Sequence, residues 1–252
     1  MKIDLTGKVI LVTGGSRGIG AALSQALMAA GATVAVHYRK EAQLAQALAT
    51  EGGNGSVSFA ADLEDPAACR QLIQDVIAQF GRLDVLVNNA GIALLSPLEE
   101  DDATWLEKWD QTQAVNLRAA ALLSRSAIAH FKTIGGGRLI HISSRAAFRG
   151  DTLDYLSYAA SKAGMVALHR SIARYCGKDD IRSFLIAPGF VRTEMAQDFF
   201  DEYGEDYALN DIALNTLTEP RDLGPTVVLL ASGLADHATG STIDINAGSY
   251  VH

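Results

Sequence analysis

The sequence predicts an α/β fold, a single doubly wound parallel sheet of about seven strands flanked by helices. Short apolar runs alternate with longer helical stretches along the whole 252-residue chain, a pattern typical of consecutive strand–helix–strand units. The first run, Val9 to Val12, is continuously apolar, as in strands that are buried on both faces. No linker, repeat or low-complexity segment interrupts the alternation, so we expect one domain over residues 1–252.

The composition indicates a globular protein with a substantial core, since 48% of the residues are hydrophobic and 20% are charged. A net charge of −8 and a pI near 5.2 argue against nucleic acid or an anionic membrane as the main partner. The N-terminal residues contain no secretory apolar stretch, so a cytoplasmic location is expected. Cys69 and Cys176 have no metal-type spacing. We therefore expect no metal site and interpret both as apolar fillers.

A glycine-rich loop follows the first strand, with glycines at positions 14, 18 and 20, and an alanine-rich helix over residues 21–30 comes next. Glycines allow a tight turn and let a phosphate approach the N–H groups at the start of a helix. The spacing departs from the general dinucleotide fingerprint G-x-G-x-x-G. The strand, loop and helix still predict a phosphate-binding loop; the alternative is a glycine-rich turn without a ligand.

The end of the second strand, residues 33–37, favours NADP(H) over NAD(H). Dinucleotide folds place an acid at this position for the ribose 2′-hydroxyl, or an arginine nearby for a 2′-phosphate. This chain has Tyr38, Arg39 and Lys40 there, and Arg17 lies within the glycine loop. Arginine and lysine prefer a phosphate. The alternative is that Arg39 and Lys40 merely begin a solvated helix.

Polar residues also follow the next two strands, residues 56–60 and 83–87. Asp62 either binds an adenine amino group or caps the following helix, residues 66–80. Asn88 and Asn89 can tie neighbouring strands together, and the small residues after them leave room for a flat ligand. Asn116 lies in an apolar helix predicted over residues 112–132. A buried asparagine needs partners, so it is a structural tie or part of a site.

Ser143 and Ser144 stand at the end of the fifth strand, residues 138–142, and are followed by Tyr158 and Lys162. Four residues of separation place Tyr158 and Lys162 on one face of a helix, which we expect to end near Cys176. A neighbouring ammonium lowers the pKa of a phenol, so the pair can be a general acid/base. Taken alone, such a pair is more often a surface pair than a catalytic one. Sixth and seventh strands are predicted over residues 181–187 and 241–245.

These motifs together resemble the short-chain dehydrogenase/reductase family over essentially the whole chain. The matching pieces are TGGSRGIG at 13–20, ADL at 61–63, NNAG at 88–91, Asn116, SS at 143–144, YAASK at 158–162, APG at 187–189 and TGSTIDINAG at 239–248. The resemblance implies a Rossmann fold, an NAD(P)-dependent enzyme, and hydride transfer between the cofactor and a carbonyl or alcohol of a small molecule.

The resemblance also implies roles for individual residues. Tyr158 corresponds to the proton donor/acceptor, Lys162 to the residue that lowers its pKa and binds the nicotinamide ribose, Ser144 to the group that polarises the carbonyl, and Asn116 to the holder of a water in the proton relay. The expected cofactor-binding residues are Gly14, Ser16, Arg17, Gly18, Ile19, Gly20, Tyr38, Arg39, Asp62, Leu63, Asn89, Ala90, Gly91, Tyr158, Lys162, Pro188, Gly189, Val191 and Thr193.

Three other functions remain open at this stage. Related enoyl-thioester reductases use a tyrosine seven residues before the lysine, which is Tyr155 here. A 3-oxoacyl-thioester reductase would dock an acidic carrier protein, yet the expected substrate lid, about residues 190–219, is acidic and has no lysine or arginine after Arg192. The alternative is that this acidic surface is simply solvated. A nucleotide-binding sensor without catalysis is the third.

The resemblance further implies an assembly through two long helices, residues 112–132 and 156–176. Both are rich in alanine and leucine, which suits close packing. A homotetramer is the hypothesis, and a light-scattering mass near 26.7 kDa would reject it.

Overall fold

A computed structural model describes residues 3–251, except for the side chains of 198–200, 202 and 203. Its seven strands pair in parallel in one sheet, in the order β3-β2-β1-β4-β5-β6-β7. The predicted doubly wound sheet is therefore confirmed. The strands are β1 (Val9–Val12), β2 (Thr33–Tyr38), β3 (Val57–Ala60), β4 (Val85–Asn88), β5 (Gly137–Ile142), β6 (Ile181–Pro188) and β7 (Thr242–Ile245).

Helices connect the strands and cover both faces of the sheet. They are α1 (Gly18–Ala29), α2 (Ala42–Gly52), α3 (Pro66–Phe80), α4 (Asp102–Gln113), α5 (Ala119–Ile134), α6 (Ala146–Arg149), α7 (Leu156–Cys176), α8 (Glu194–Tyr203), α9 (Glu205–Asn210) and α10 (Gly224–Ser232). No helix in the described part of the chain is long and apolar enough to cross a membrane.

The helix that carries Asn116 differs from its predicted bounds. It begins at Asp102, where Asp101 caps it by accepting hydrogen bonds from Ala103 N and Thr104 N. A π-helical segment, Ala114–Arg118, then joins α4 to α5. The acidic, tryptophan-bearing stretch before residue 112 is therefore the first part of this helix. Single-turn π segments are frequent at functional sites, and this one contains Asn116.

Alternation along β1 divides the core into two layers. Ile10 and Val12 pack on the layer that includes α1 and α10. Val9 and Leu11 pack on the layer formed by α3, α5 and the end of α7. Because each strand buries both faces, the apolar runs in the sequence are continuous.

The sheet brings its polar residues to one edge. Val12 is level with Val87 in β4, and Ile142 is level with Ile186 in β6. From β1 the chain adds β2 and β3 on one side, and it then returns to add β4 to β7 on the other side. The order of the strands therefore switches between β1 and β4, and ligands bind at such switch points in open parallel sheets. The residues that follow β1, β4, β5 and β6 therefore meet around this switch point.

Candidate active site

The glycine loop lies against the end of β4 with no spare space. Gly14 has φ +60, and a Cβ on Gly20 would lie 2.0 Å from Gly14 O. Helix α1 begins without a capping side chain. The N–H groups of its first turn therefore remain for a ligand, and the helix dipole favours an anion there. The loop fits a dinucleotide phosphate.

His37, at the end of β2, holds this loop and was not singled out by the sequence. Its Nδ1 accepts a hydrogen bond from Gly14 N at 2.9 Å, and its Nε2 lies 3.1 Å from Ala61 O. Burial lowers the pKa of His37 to about 4. The ring is therefore neutral at pH 7, with its proton on Nε2. The only signal in the sequence is a histidine in an apolar strand, which does not reveal a partner.

The two asparagines tie neighbouring strands, as predicted. Asn89 Nδ2 donates to Thr13 O at 2.8 Å and to Gly14 O at 3.2 Å. Asn88 Nδ2 donates to Ser124 Oγ at 3.1 Å and lies 3.3 Å from His141 Nδ1. Asn89 thereby fixes the strand end of β4 against the glycine loop.

Two ion pairs cross the expected 2′-phosphate region. Arg39 Nη1 lies 2.8 Å from Glu64 Oε1, and Arg17 Nη1 lies 2.9 Å from Glu194 Oε2. No acid ends β2, as the sequence showed, but Glu64 reaches Arg39 from the loop after β3. The four side chains are 33% to 81% exposed, so these pairs are weak and can exchange for a phosphate.

Asp62 does not cap the following helix. Its Oδ1 accepts from Glu64 N at 3.0 Å, forming a local turn. The cap of α3 is Asp65, whose Oδ1 accepts from Ala67 N at 2.7 Å, with Pro66 beginning the helix. The helix-cap interpretation of Asp62 is therefore wrong, and its place beside the cleft remains compatible with an adenine contact.

The predicted cofactor residues form a cleft of about 550 Å³. It is lined by Gly14, Ser16, Arg17, Gly18, Ile19, Gly20, Tyr38, Arg39, Asp62, Leu63, Asn89, Ala90, Gly91, Tyr158, Lys162 and Thr193. Pro188, Gly189 and Val191 line a second cavity of about 380 Å³. Three predicted cofactor residues thus face the neighbouring space. Tyr158 and Thr193 line both spaces, so they mark the junction between them.

Ser144 and Tyr158 meet at this junction. Ser144 Oγ accepts from Ala146 N at 3.1 Å, which directs its own proton away from that bond. Burial raises the pKa of Tyr158 to about 12, although a hydrogen bond with Ser144 opposes the rise. Removal from water is the largest cause of this rise, and a lowering of the Tyr158 pKa by Lys162 stays a prediction.

Lys162 is 3% exposed. Its Nζ donates to Ile142 O at 3.0 Å and lies 5.7 Å from the centre of the Tyr158 ring. Burial lowers the pKa of Lys162 to about 8. A Cβ on Gly91 would lie 3.2 Å from Nζ and 3.3 Å from Asn116 Oδ1. Gly91 therefore separates the lysine from the asparagine by little more than its own backbone.

Asn116 is fully buried and is the structural tie that the sequence left open. Its Oδ1 accepts from Ile92 N at 2.8 Å, and its Nδ2 donates to Ile92 O at 2.9 Å and to Ser161 Oγ at 3.0 Å. It thus joins the π-helical segment to the loop after β4 and to α7. A role in a proton relay stays a prediction.

Tyr155 points to a different environment from Tyr158. It lines the 380 Å³ cavity and packs against the apolar cluster of the lid residues Ala208 and Leu217. Unlike Tyr158, it does not line the cofactor cleft with Lys162. The geometry favours Tyr158 as the partner of the lysine.

Comparison with known proteins identifies the family. A family model described as "Enoyl-(Acyl carrier protein) reductase" matches residues 14–250. A 3-oxoacyl-[acyl-carrier-protein] reductase from Staphylococcus aureus is 34% identical over 250 residues, which cover 97% of this chain and 98% of the relative. The chain belongs to the short-chain dehydrogenase/reductase family. It is therefore an NAD(P)-dependent oxidoreductase.

Other members of the family show how widely its substrates differ. A D-threitol dehydrogenase from Mycolicibacterium smegmatis is 35% identical over 248 residues, covering 97% of this chain and 93% of the relative. A short-chain dehydrogenase from Burkholderia cenocepacia, solved in complex with NADP, is 35% identical with a TM-score of 0.88. The alignment covers 97% of this chain and 98% of that structure. Family membership therefore fixes the cofactor class and leaves the substrate open.

Proposed function

We propose that this short-chain dehydrogenase/reductase interconverts a carbonyl and an alcohol of a small molecule, with Tyr158 as the acid/base and NADP(H) as the preferred cofactor. The observation that carries the proposal is the meeting of Ser144 and Tyr158 where the cofactor cleft joins a second cavity. A carbonyl oxygen in that cavity would accept hydrogen bonds from both hydroxyls.

The residues of the cleft fit a nicotinamide dinucleotide. The glycine loop would hold the phosphates, and Lys162 and Thr193 would hold the nicotinamide end, since they line the cleft beside Tyr158. When bound, the nicotinamide supplies or accepts the hydride. The preference for NADP(H) rests on Arg17 in the glycine loop and Arg39 after the second strand, which both line the cleft, and the relative from Burkholderia was crystallised with NADP.

The protein supplies the proton and stabilises the charge on oxygen. During reduction, negative charge develops on the carbonyl oxygen, and the neutral Tyr158 transfers its proton to it. A phenol whose pKa is about 12 is fully protonated at pH 7, which suits this direction. Lys162, whose pKa is lowered by burial to about 8, lies close enough to stabilise the phenolate that remains.

A 3-oxoacyl-thioester reductase is the second candidate, because the relative from Staphylococcus aureus carries that activity in its name. The lid argues against it. It has no cation between Arg192 and Arg221 that could dock an acidic carrier. Three of its acids nevertheless form ion pairs: Glu205 and Glu219 pair with Arg192, and Asp211 pairs with Arg145 and Arg149. The missing cations, and not the number of acids, therefore argue against a carrier-protein substrate.

A non-catalytic nucleotide sensor is the third candidate, and the intact site argues against it. Asn116, Ser144, Tyr158 and Lys162 are all present. A homotetramer remains our hypothesis for assembly, supported by the exposed Leu156 and Tyr175 on α7.

Paired tyrosine variants test the reaction. Tyr158→Phe should lower kcat for carbonyl reduction by about 1000-fold, because the proton donor is lost, while NADPH binding measured by fluorescence stays intact. Tyr155→Phe, the matched variant three residues earlier, should change kcat by less than about tenfold, since a missing contact at the lid costs about 1 kcal/mol. Near-normal turnover by Tyr158→Phe, or the reverse ranking of the two variants, would sink the assignment and favour the enoyl-reductase reading.

A further inference from the structure

Three charged side chains line the wall of the 380 Å³ cavity beyond Tyr158: Arg145, Arg149 and Asp151. A fourth, Asp211, forms ion pairs with both arginines. Arg145 and Arg149 come from the loop and short helix after Ser144, and Asp211 follows the second lid helix. Charged groups are seldom used to line a channel for a fatty acyl chain, because burying an acyl chain gains nothing from them and desolvates them. The wall therefore selects a polar substrate.

The charges on this wall balance without a ligand. Asp211 Oδ2 lies 2.6 Å from Arg145 Nη1 and 2.8 Å from Arg149 Nη1, so one carboxylate bridges both cations. Asp151 brings the second negative charge and is electrostatically coupled to Arg145. A substrate carboxylate or phosphate would have to displace Asp211 or face Asp151. An uncharged substrate keeps the balance and avoids leaving a charge unpaired in a partly buried site.

The wall also offers both an acceptor and a donor. The Asp151 carboxylate lines the cavity, and in the described part of the chain it accepts a hydrogen bond from Thr152 N at 2.9 Å. Arg145 lines the cavity, and because Asp211 occupies its Nη1, the other N–H groups of the guanidinium are the donors that it offers. A hydroxyl both donates and accepts, so vicinal hydroxyls suit this pair of groups.

Asp151 stands close to the reacting atoms. It lines the cavity together with Ser144 and Tyr158. The pKa of Tyr158 is raised chiefly by burial, and the charge of Asp151 adds to the rise. A group that Asp151 binds is therefore near the carbonyl that Tyr158 protonates.

Resting on the proposed carbonyl chemistry, we propose that Asp151 binds a hydroxyl of the substrate near its reacting carbon, so that the substrate is a small, uncharged polyhydroxylated ketone or aldehyde, or the corresponding polyol. Arg145 donates to the neighbouring hydroxyl oxygen. Asp151 is thus a specificity-determining residue.

Reduction rates with four probes test this assignment, followed as NADPH consumption by the intact enzyme. The probes are erythrulose, its unhydroxylated counterpart butanone, acetoacetate and acetoacetyl-coenzyme A. We expect kcat/KM for erythrulose to exceed that for butanone by at least about 100-fold, because a site that hydrogen-bonds a hydroxyl rejects an analogue without one. Acetoacetate and the thioester should be poorer substrates than erythrulose.

Variants of Asp151 then test whether this residue causes the preference for the hydroxylated substrate. Asp151→Ala should lower kcat/KM for erythrulose on the order of 30-fold, because a hydrogen bond to a charged group is lost. It should change kcat/KM for butanone by less than about threefold. Asp151→Asn should lie between. Asp201→Asn is the matched control: Asp201 is an exposed lid acid that accepts from Gln197 and lies outside the cavity wall, so this variant should behave as the wild type.

The results separate the two levels of the proposal. Preference for acetoacetate or acetoacetyl-coenzyme A, lost in Tyr158→Phe, would overturn the polyhydroxylated substrate and leave the carbonyl reaction standing. An equal loss on erythrulose and butanone in Asp151→Ala, or the same loss in Asp201→Asn, would remove the role of Asp151. No reduction of any probe despite bound NADPH would remove the proposed function as well.

Discussion

The cofactor cleft and the substrate cavity meet at Tyr158, yet different kinds of interaction build them. Around the cleft, buried groups hold the backbone: Gly14 N donates to His37, and Thr13 Oγ1 accepts from Asn89 N at 2.9 Å and Ala90 N at 3.0 Å. Around the cavity, charged side chains of a loop and of the lid form ion pairs, such as those of Asp211 with Arg145 and Arg149.

The difference separates chemistry from specificity. The cleft is attached to the ends of β1, β2 and β4, which are fixed by the sheet, so its geometry follows from the fold. Most of the cavity wall comes from residues 145–155 and 190–219, which belong to no strand of the sheet. Such segments can change without disturbing the sheet. We infer that the reaction is determined on the cleft side and the substrate on the cavity side.

Gly20→Ala should have the largest effect and tests the rigidity of the cleft. The added Cβ would lie 2.0 Å from Gly14 O and 2.6 Å from Asn89 Nδ2, so the loop must move. We expect a loss of about 3 kcal/mol, as for severe overpacking, measured as weaker NADPH binding by fluorescence titration or as lower stability by thermal melting.

Gly177→Ala is the control for this change. Its φ is −61, and an added Cβ would meet nothing within 4 Å. It should bind NADPH like the wild type and be equally or slightly more stable. If Gly20→Ala matched this control in both measurements, the cleft would not be rigid and the comparison would fail.

Lys162→Met tests the charge buried at the junction through its pH dependence. The folded pKa of Lys162 is about 8, below its usual 10.5. Between these values the unfolded chain holds a proton that the folded chain lacks, so wild-type stability rises with pH. Below pH 8 both states are protonated and the contribution is constant. The wild-type minus variant difference in unfolding free energy should rise by about 2 kcal/mol from pH 7 to pH 9.5, at about 1.4 kcal/mol per pH unit.

Urea unfolding of the cofactor-free proteins at the two pH values measures this difference, and other titrating groups cancel in it. Tyr158→Phe is the control. The pKa of Tyr158 is raised from 10 to about 12, so this residue makes stability depend on pH only above about pH 10. The wild-type minus Tyr158→Phe difference should therefore stay constant. A constant difference for Lys162→Met as well would show that the lysine is not desolvated at the junction.

The sheet and the glycine loop could be predicted from the sequence because their signals are local. Continuous apolar runs mark the strands, and glycines 14, 18 and 20 mark the loop. The spacing of Tyr158 and Lys162 predicts that both lie on one helix, which is α7. The sequence did not predict that this helix begins at Asp102, because the polar, tryptophan-bearing stretch has weak apolar periodicity. The π segment that follows has no sequence pattern that distinguishes it from an α-helix.

The electrostatics of the site could not be predicted in the same way. The pKa of Tyr158 is raised chiefly by burial, and spacing along a helix does not report burial. The pairs Arg39–Glu64 and Arg145–Asp211 join residues distant in the chain, so no local pattern contains them. For the same reason the role of His37 emerges only when Gly14 and Ala61 are brought beside it.

Arg39→Ala should have the smallest effect and tests whether the cleft also selects between cofactors. Arg39 is 41% exposed on its side chain and already pairs with Glu64. Binding a 2′-phosphate therefore exchanges one ion pair for another, and the net loss should be about tenfold in Kd for NADPH, with no change for NADH. Glu64→Gln, which frees Arg39, should tighten NADPH binding by about twofold to threefold, in line with a surface pair of this exposure. Titration of all three proteins with both cofactors measures these effects. Equal weakening toward NADPH and NADH in Arg39→Ala would mean that Arg39 only supports the loop, and that the cleft accepts either cofactor.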